Sequence, residues 1–460
     1  MRGIAIVISA FWSIQTVSLP IDIDTLELTR PESLGMSSAK LSELDQVVAR
    51  AIDKGSIKGA VVAVSRRGEP VYFSAHGKAN PTTGTPMRKD NLFIMMSSTK
   101  PVTGVAAMIA VEQGLFDPSD PVYKYLPGFK DIEVAVLKTP QDRDVSPAYV
   151  FGPQNGEVNF LKRMADNVVA KFTDGYMWHV PEYRTVAVNR PITIHDLLTH
   201  TSGLGSYGLG NATSDWGREI RDKAKFSVNN HTLESYINSV AKGPLDFQPG
   251  TRWTYSPLVG LDVVARIIEI TSGRPFDKFV QEHIFNPLDM RDTHWLHALP
   301  VEKKSRLVTL VYDEPKKGQE VDLIDVDKSR YVSGSVGLVS TARDYLHFEN
   351  MLVNRGTLFG HRVLKESSVR TMATNYVGDL FGQSGKGEGE GFGYSVSITL
   401  DPERVRLKRS KGAFGWAGAL GTISWSEPAT ELSVVVMVQQ PTKDFAYAIA
   451  KAVSQALTDD

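Results

Sequence analysis

Strand-like segments lie towards both ends of this chain and helical segments fill the span between them, a distribution that restricts the fold more than any other feature. Gly59 to Ser65 (GAVVAVS) and Pro70 to Ala75 (PVYFSA) flank a turn at Arg66 to Glu69 and predict an antiparallel hairpin. Far downstream, Tyr394 to Leu400, Arg404 to Ser410, Ala419 to Trp425 and Leu432 to Val438 show strand-like patterning. Helical spacing marks Ser37 to Lys54, stopped by Gly55, then Thr232 to Ala241, Leu258 to Thr271, Phe276 to Ile284, Asp344 to Asn354 and Phe445 to Leu457. Patterning is also regular over Ile192 to Leu204 (ITIHDLLTHTSGL). The economical solution is an α/β fold: one antiparallel sheet built from both ends, flanked by the first and last helices, with a mostly helical domain inserted. The boundaries predicted are an N-terminal extension or weak signal segment at 1–32, a sheet domain from 33–90 and 331–460, and a mainly helical domain at 91–330. Residues 130–190 lack sustained periodicity apart from a short helical stretch at 158–171, and form an insertion. Its aromatics Tyr149, Phe151, Tyr176, Trp178 and Tyr183 either anchor it to the body or cover a pocket. A cleft at the junction of the two domains is the expected place for a small-molecule site.

Composition narrows the chemistry. With 51 basic and 52 acidic residues in 460, the formal charge of −1 gives no electrostatic case for nucleic acid. No cysteine is present, which removes disulfides, thiolate catalysis and cysteine metal sites together. The opening residues MRGIAIVISAFWSIQ place one basic residue before a short apolar run without a clear cleavage site, so a cytoplasmic and an exported protein both remain open. The run is too short to span a bilayer, and nothing later in the chain approaches a membrane span.

The stretch Asn91 to Gly114 (NLFIMMSSTKPVTGVAAMIAVEQG) carries the first candidate chemistry. An apolar run meets Ser97-Ser98-Thr99-Lys100, and an apolar helix follows. A helix beginning near Ser97 would put its hydroxyl and the Lys100 amine one turn apart on one face, a nucleophile beside a base. Serine needs a proton acceptor, and lysine serves as one only when burial or neighbouring positive charge lowers its pKa. The pattern Ser-x-x-Lys is weak alone: Ser37 with Lys40 and Ser239 with Lys242 match it too, and a plain helix N-cap at Ser97 is the competing explanation.

Two other stretches can supply partners. Gly250 to Pro257 (GTRWTYSP) places Tyr255, beside Ser256 and Pro257, in a turn before an apolar helix, as a half-buried core residue or a second proton acceptor. Gly415-Trp416-Ala417-Gly418-Ala419 sits at the start of a predicted strand, where small residues let backbone approach a ligand and an N–H face an oxyanion. Other motifs fail: no G-x-S-x-G and no H-E-x-x-H occurs. The pairs His195/His200 and His294/His297 lack a carboxylate at ligand spacing. Gly203, Gly205 and Gly208 lack the strand and helix of a dinucleotide fold, and the predicted flexible loop Gly382 to Gly391 lacks a phosphate-loop ending.

Taken in order, SLGMSSAKLSELD, SSTKPVTG, LLTHTSGL, W-T-Y-S-P, VSGSVGLVSTARD and GWAGALGT cover residues 33–440. This series resembles the class C β-lactamase superfamily of serine hydrolases, and most closely its family VIII carboxylesterases. The resemblance implies a β-lactamase and penicillin-binding-protein-like fold. It implies Ser97 as the acylated nucleophile, Lys100 and Tyr255 as its proton-transfer partners, and the backbone N–H groups of Ser97 and Ala419 as the oxyanion hole. Trp416, Gly418, Ser256 and Pro257 would line the substrate pocket. Two departures matter: Pro257 stands where the β-lactamase pattern has asparagine, and Trp416-Ala417-Gly418 stands for Lys-Thr-Gly. The cation and hydroxyl suited to a β-lactam carboxylate are thereby lost, which favours a neutral, short-chain ester. No cofactor or metal is implied, and the partner is a small-molecule ester. The alternatives are a β-lactamase, a D-aminopeptidase or DD-peptidase, an acyltransferase, or a non-catalytic binding module on the same fold.

Overall fold

The structure is a computed structural model of the 460-residue chain, and it describes residues 26–138, 183–206, 210, 231–310, 331–385, 387–440 and 442–458. The opening segment and most of the 130–190 insertion, including Tyr149, Phe151, Tyr176, Trp178 and the helix expected at 158–171, lie outside the described residues.

The main sheet has eight antiparallel strands: β1 (Gly59–Arg66), β2 (Glu69–Asn80), β3 (Thr85–Pro86), β4 (Glu390–Phe392), β5 (Ser397–Thr399), β6 (Phe414–Ala417), β7 (Ile423–Glu427) and β8 (Leu432–Met437). Their spatial order is β4-β5-β6-β7-β8-β1-β2-β3. The hairpin of β1 and β2 forms as expected, with Ala63 opposite Phe73, and β8 joins it by pairing Val62 with Val436. The two ends of the chain therefore meet at the centre of the sheet. These central strands are apolar on consecutive residues because both faces are covered. Ala60, Val62, Val64, Val434 and Val436 pack on one side with Leu44 and Val48 of α1 (Glu43–Asp53), and with C-terminal-helix residues Phe445, Ile449 and Val453. Val61, Ala63, Val435 and Met437 join the larger core on the other side.

That larger core holds α2 (Lys100–Glu112), α3 (Ile194–Leu198), α4 (Leu233–Val240), α5 (Gly260–Ser272), α6 (Phe276–Val280) and α7 (Ala342–Val353), and α8 (Lys443–Ala456) closes the chain over the opposite face. Every residue of α2 from Lys100 to Ala110 is buried, which explains why its sequence is apolar almost all round. The Thr193 and Thr232 side chains start α3 and α4 through capping boxes.

Several sequence expectations require correction. Residues Arg404 to Ser410 form turns and coil, not a strand, and the run expected at Ala419 to Trp425 pairs only from Ile423. Gly415 to Ala419 lies at the end of a strand, with Ala419 in the turn after it. The region 382–391 is not one loop: Leu380–Gln383 is a helical turn and Glu390 opens β4. The expected Phe276 to Ile284 helix is α-helical to Val280 and widens to a π-helix at Gln281–Phe285. Residues Glu133–Leu137 and Tyr183–Ala187, at the two ends of the insertion, pair as an antiparallel ribbon, and Tyr183 is exposed there.

Candidate active site

Ser97 lies in a tight 3-10 turn, Met96–Thr99, rather than inside the α-helix, which begins at Lys100. The chain enters this turn from a short strand, Phe93–Ile94, and reverses at Met96, whose φ of 47° is left-handed. A side chain there costs about 1–2 kcal/mol of backbone strain, so neighbouring contacts must hold it. The Met95 carbonyl accepts both the Ser98 N–H (3.0 Å) and the Thr422 hydroxyl (3.1 Å). Ser98 Oγ lies 3.0 Å from Thr422 Oγ1, the Leu338 N–H donates to Thr99 Oγ1 (3.2 Å), and the Tyr345 hydroxyl donates to the Ser98 carbonyl (2.5 Å). Residues remote in sequence thus pin the turn on each side of Ser97.

Lys100 is 0% exposed, and its Nζ has three oxygens around it: Pro257 O at 2.7 Å, Ser335 O at 3.1 Å and Ser97 Oγ at 3.2 Å. The two carbonyls can only accept, so two N–H groups point at them. The remaining position faces the serine, where a neutral amine presents its lone pair and an ammonium its third proton. Burial pushes the Lys100 pKa down, opposed by Tyr255 and the carboxylate of Asp262. Desolvation therefore supplies the condition under which a lysine can accept a serine proton.

Tyr255 stands against the same amine, its ring centroid 5.0 Å from Nζ. The segment carrying it is tied to His200: the Thr254 N–H donates to the His200 carbonyl (3.1 Å) and the Ser256 N–H to His200 Nδ1 (3.3 Å). The His200 ring meets Tyr255 edge-on at 5.0 Å, and burial holds its pKa well below the usual histidine value, with nearby Lys100 acting in the same direction. His200 is thus neutral, and because Nδ1 accepts the Ser256 N–H, its proton sits on Nε2. The Trp416 indole N–H reaches Tyr255 Oη at 3.4 Å from the other side.

The remaining predicted residues separate. Gly418 is required where it is, since a Cβ would lie 2.2 Å from the Met95 carbonyl, beside the nucleophile turn. The turn after β6 is closed by the Gly418 N–H to Thr422 O (2.7 Å) and the Gly421 N–H to Gly418 O (3.0 Å), which leaves the exposed Ala419 N–H outside both bonds. Pro257 contributes its carbonyl to Lys100. Ser256 is buried, its hydroxyl accepting the Gly260 N–H at the start of α5, so it supports the entry to that helix rather than forming pocket surface. Sequence reasoning assigned no role to His200, Asp262, Ser335 or Thr422; His200 and Ser335 lay in matched stretches, LLTHTSGL and VSGSVG, with no chemistry of their own to mark them.

Apolar surface flanks the serine on two sides. Tyr255, Leu380 and Trp416 are the partly exposed members of a cluster with Trp253, Val377, Phe381 and Phe392. Met96 belongs to a second cluster with Leu92, Ile94, Val339 and Leu420. Among the described residues no set of three His, Asp or Glu side chains could hold a metal ion, and no helix is long and apolar enough to cross a membrane.

A buried Ser-x-x-Lys pair on this sheet-and-helix scaffold defines a serine hydrolase of the β-lactamase fold. The chain belongs to the beta-lactamase family, whose model, described as Beta-lactamase, matches residues 44–457. It is similar to Protein Rv1367c of Mycobacterium tuberculosis, 29% identical over 396 residues that cover 84% of this chain and 87% of that one. It is similar to Esterase EstB of Burkholderia gladioli, 27% identical over 429 residues, 88% of this chain and 92% of the relative. Among solved structures it resembles EstCE1, a hydrolase with promiscuous acyltransferase activity, at a TM-score of 0.67 and 24% identity, covering 90% of this chain and 98% of that one.

Proposed function

We propose that this protein is a carboxylesterase that works through an acyl-enzyme on Ser97. Lys100 takes the Ser97 proton, Ser97 Oγ attacks the ester carbonyl, and the N–H groups of Ser97 and Ala419 receive the oxyanion. Tyr255 then relays a proton to the leaving alcohol, and water releases the acid from the serine. The observation that carries this is the Lys100 amine, fully buried, held by two carbonyls and 3.2 Å from Ser97 Oγ, with Tyr255 beside it. Tyr255, Trp416 and the backbone around Gly418 would line the pocket, and Trp416 supports an ester over a β-lactam because an indole cannot pair with a carboxylate as lysine does. Short-chain acyl groups are the proposed preference, and the name of EstB supports the esterase assignment. The division into a sheet domain (33–90 and 331–460) and a helical domain (91–330) belongs to the same proposal, with the cleft at their junction.

Ser97→Ala is expected to abolish hydrolysis of p-nitrophenyl butyrate and labelling by a fluorophosphonate probe while the far-ultraviolet spectrum stays unchanged. Wild-type hydrolysis in that variant would reject the assignment. A panel of graded acyl length with nitrocefin included tests the class, since faster turnover of nitrocefin than of any ester would make the protein a β-lactamase. An acceptor-dependent rise in turnover would mark the acyltransferase alternative, an activity named for EstCE1.

A further inference from the structure

A buried carboxylate stands behind the lysine. Asp262, in the first turn of α5, is almost completely buried. Its Oδ1 accepts the Ser333 hydroxyl at 3.0 Å and its Oδ2 accepts the Tyr331 hydroxyl. The Ser333 oxygen in turn accepts the N–H groups of Ser335 (3.0 Å) and Val336 (3.1 Å), which shapes the turn at 333–336. That turn offers the Ser335 carbonyl to Lys100 Nζ at 3.1 Å and the Gly334 carbonyl to the Thr103 hydroxyl at 2.6 Å, both on α2. It is pressed onto α5, since a Cβ on Gly334 would lie 2.8 Å from the Leu261 carbonyl. Aspartate and lysine are connected through the turn in the VSGSVG stretch, to which the reaction scheme gives no part.

We propose that Asp262 is a positioning residue for the Ser97 reaction: it fixes the turn that holds the Lys100 amine and supplies the negative charge that steadies that amine once protonated. This rests on the assignment of Lys100 as the acceptor of the Ser97 proton. Among the described residues, the titratable groups that face Lys100 are Tyr255, Asp262 and His200, and those that face Asp262 are Lys100 and Tyr331. His200 stays neutral, and burial with the adjacent Asp262 keeps the Tyr331 phenol protonated. Burial raises the Asp262 carboxyl to about 6, with its hydroxyl donors and Lys100 holding it from going further, so it is charged above that pH.

The sign of the effect follows. A negative charge near Lys100 increases its hold on a proton, so removing that charge lowers the Lys100 pKa and moves the acid limb of kcat/KM to lower pH. It also leaves the ammonium formed during attack without compensation, which lowers the plateau. In the full-length protein with p-nitrophenyl butyrate, Asp262→Asn is expected to lower kcat about tenfold or more with KM little changed. Its acid limb should move down by at least about half a pH unit. Tyr331→Phe, which keeps the carboxyl but removes one of its donors, should move the limb less than Asp262→Asn does. An unshifted limb in folded Asp262→Asn overturns the proposal whatever the plateau rate. Should Asp262→Asn not fold, Ser333→Ala keeps the charge but cuts the link to the turn; reduced kcat with the limb in place supports the proposal, and wild-type kcat overturns it. Ser97→Ala measured in parallel separates the two levels: activity there rejects the acyl-enzyme itself, whereas inactivity there with an unshifted Asp262→Asn limb rejects only the role of Asp262.

Discussion

At the scale of single residues, His200 illustrates how a side chain with no part in bond making can hold the site. Its own backbone is left-handed, with φ at 58°, and its ring is enclosed by Trp253, Tyr255 and Phe392. Nδ1 is the acceptor for the Ser256 N–H, and Nε2 has no hydrogen-bond partner among the described residues. Replacing the ring by a methyl group leaves the buried Ser256 N–H unpaired, which costs about 1–3 kcal/mol, and opens a cavity under Tyr255. His200→Ala is therefore expected to lower the thermal midpoint by several degrees and to reduce kcat more than tenfold by loosening Tyr255, an effect of order 10²-fold for misplacement near 1 Å. Calorimetry and ester turnover on the same sample check both; unchanged kcat in a destabilised variant would mean that Tyr255 is held without it.

At the scale of elements, the decisive junction is between the Met96–Thr99 turn and the end of β6. The left-handed Met96 survives because the Met95 carbonyl has two donors and because Gly418 allows backbone to pass against it. An added methyl at 418 would meet both that carbonyl and Thr422 Oγ1, at 2.2 and 2.4 Å, so one element must move. Gly418→Ala is expected to destabilise the protein by about 1–3 kcal/mol, as overpacking does, and to lower kcat more than it raises KM, since the turn that carries Ser97 and the turn that carries Ala419 separate. Denaturant unfolding and steady-state kinetics measure the two effects. A variant with wild-type values for both would show that the junction tolerates displacement and that the Ala419 N–H is not held by it.

At the scale of the whole molecule, the sheet joins chain ends hundreds of residues apart, and a buried glutamate sits where α7 crosses it. Glu349 accepts the Ser424 hydroxyl at 2.6 Å and the Ser426 hydroxyl at 2.7 Å, both from β7. Burial raises its pKa from the usual 4.5 to about 7 despite those donors and nearby Arg409. Between those values the folded protein keeps a proton that the unfolded chain has released. Its contribution to stability is thus fully present below the unfolded pKa and lost as pH rises through about 7. Glu349→Gln removes that loss and should raise the thermal midpoint near pH 8 by the equivalent of about 1–3 kcal/mol, with little change near pH 5. Asp344, raised to about 6 by burial, has the same sign and keeps some decline in the variant. Equal midpoint differences at the two pH values would show that Glu349 does not titrate in this way.

How much of this was readable from residues alone depended on whether the signal was local. Hairpin β1–β2, the apolar helix after Lys100 and the α4 cap announce themselves through periodicity, capping residues and turn chemistry, and all form within a few residues of where they were expected. Ser97, Lys100 and Tyr255 were readable as candidates because a nucleophile, a base and a phenol are unusual in such settings. No strand forms at 404–410, and the one expected at 419–425 begins only at Ile423, because apolar content does not say which backbone finds a partner. The sequence by itself determined the sheet-and-helix class and the residues able to do chemistry, since these follow from local propensity and side-chain identity. Only the tertiary structure decided that Lys100 is buried between the Pro257 and Ser335 carbonyls, that His200 holds the segment carrying Tyr255, that the Ser256 hydroxyl turns to Gly260, and that Asp262 is linked to Lys100 through a turn. Desolvation and hydrogen-bond geometry depend on segments up to 327 residues apart, and spacing along the chain carries no record of them.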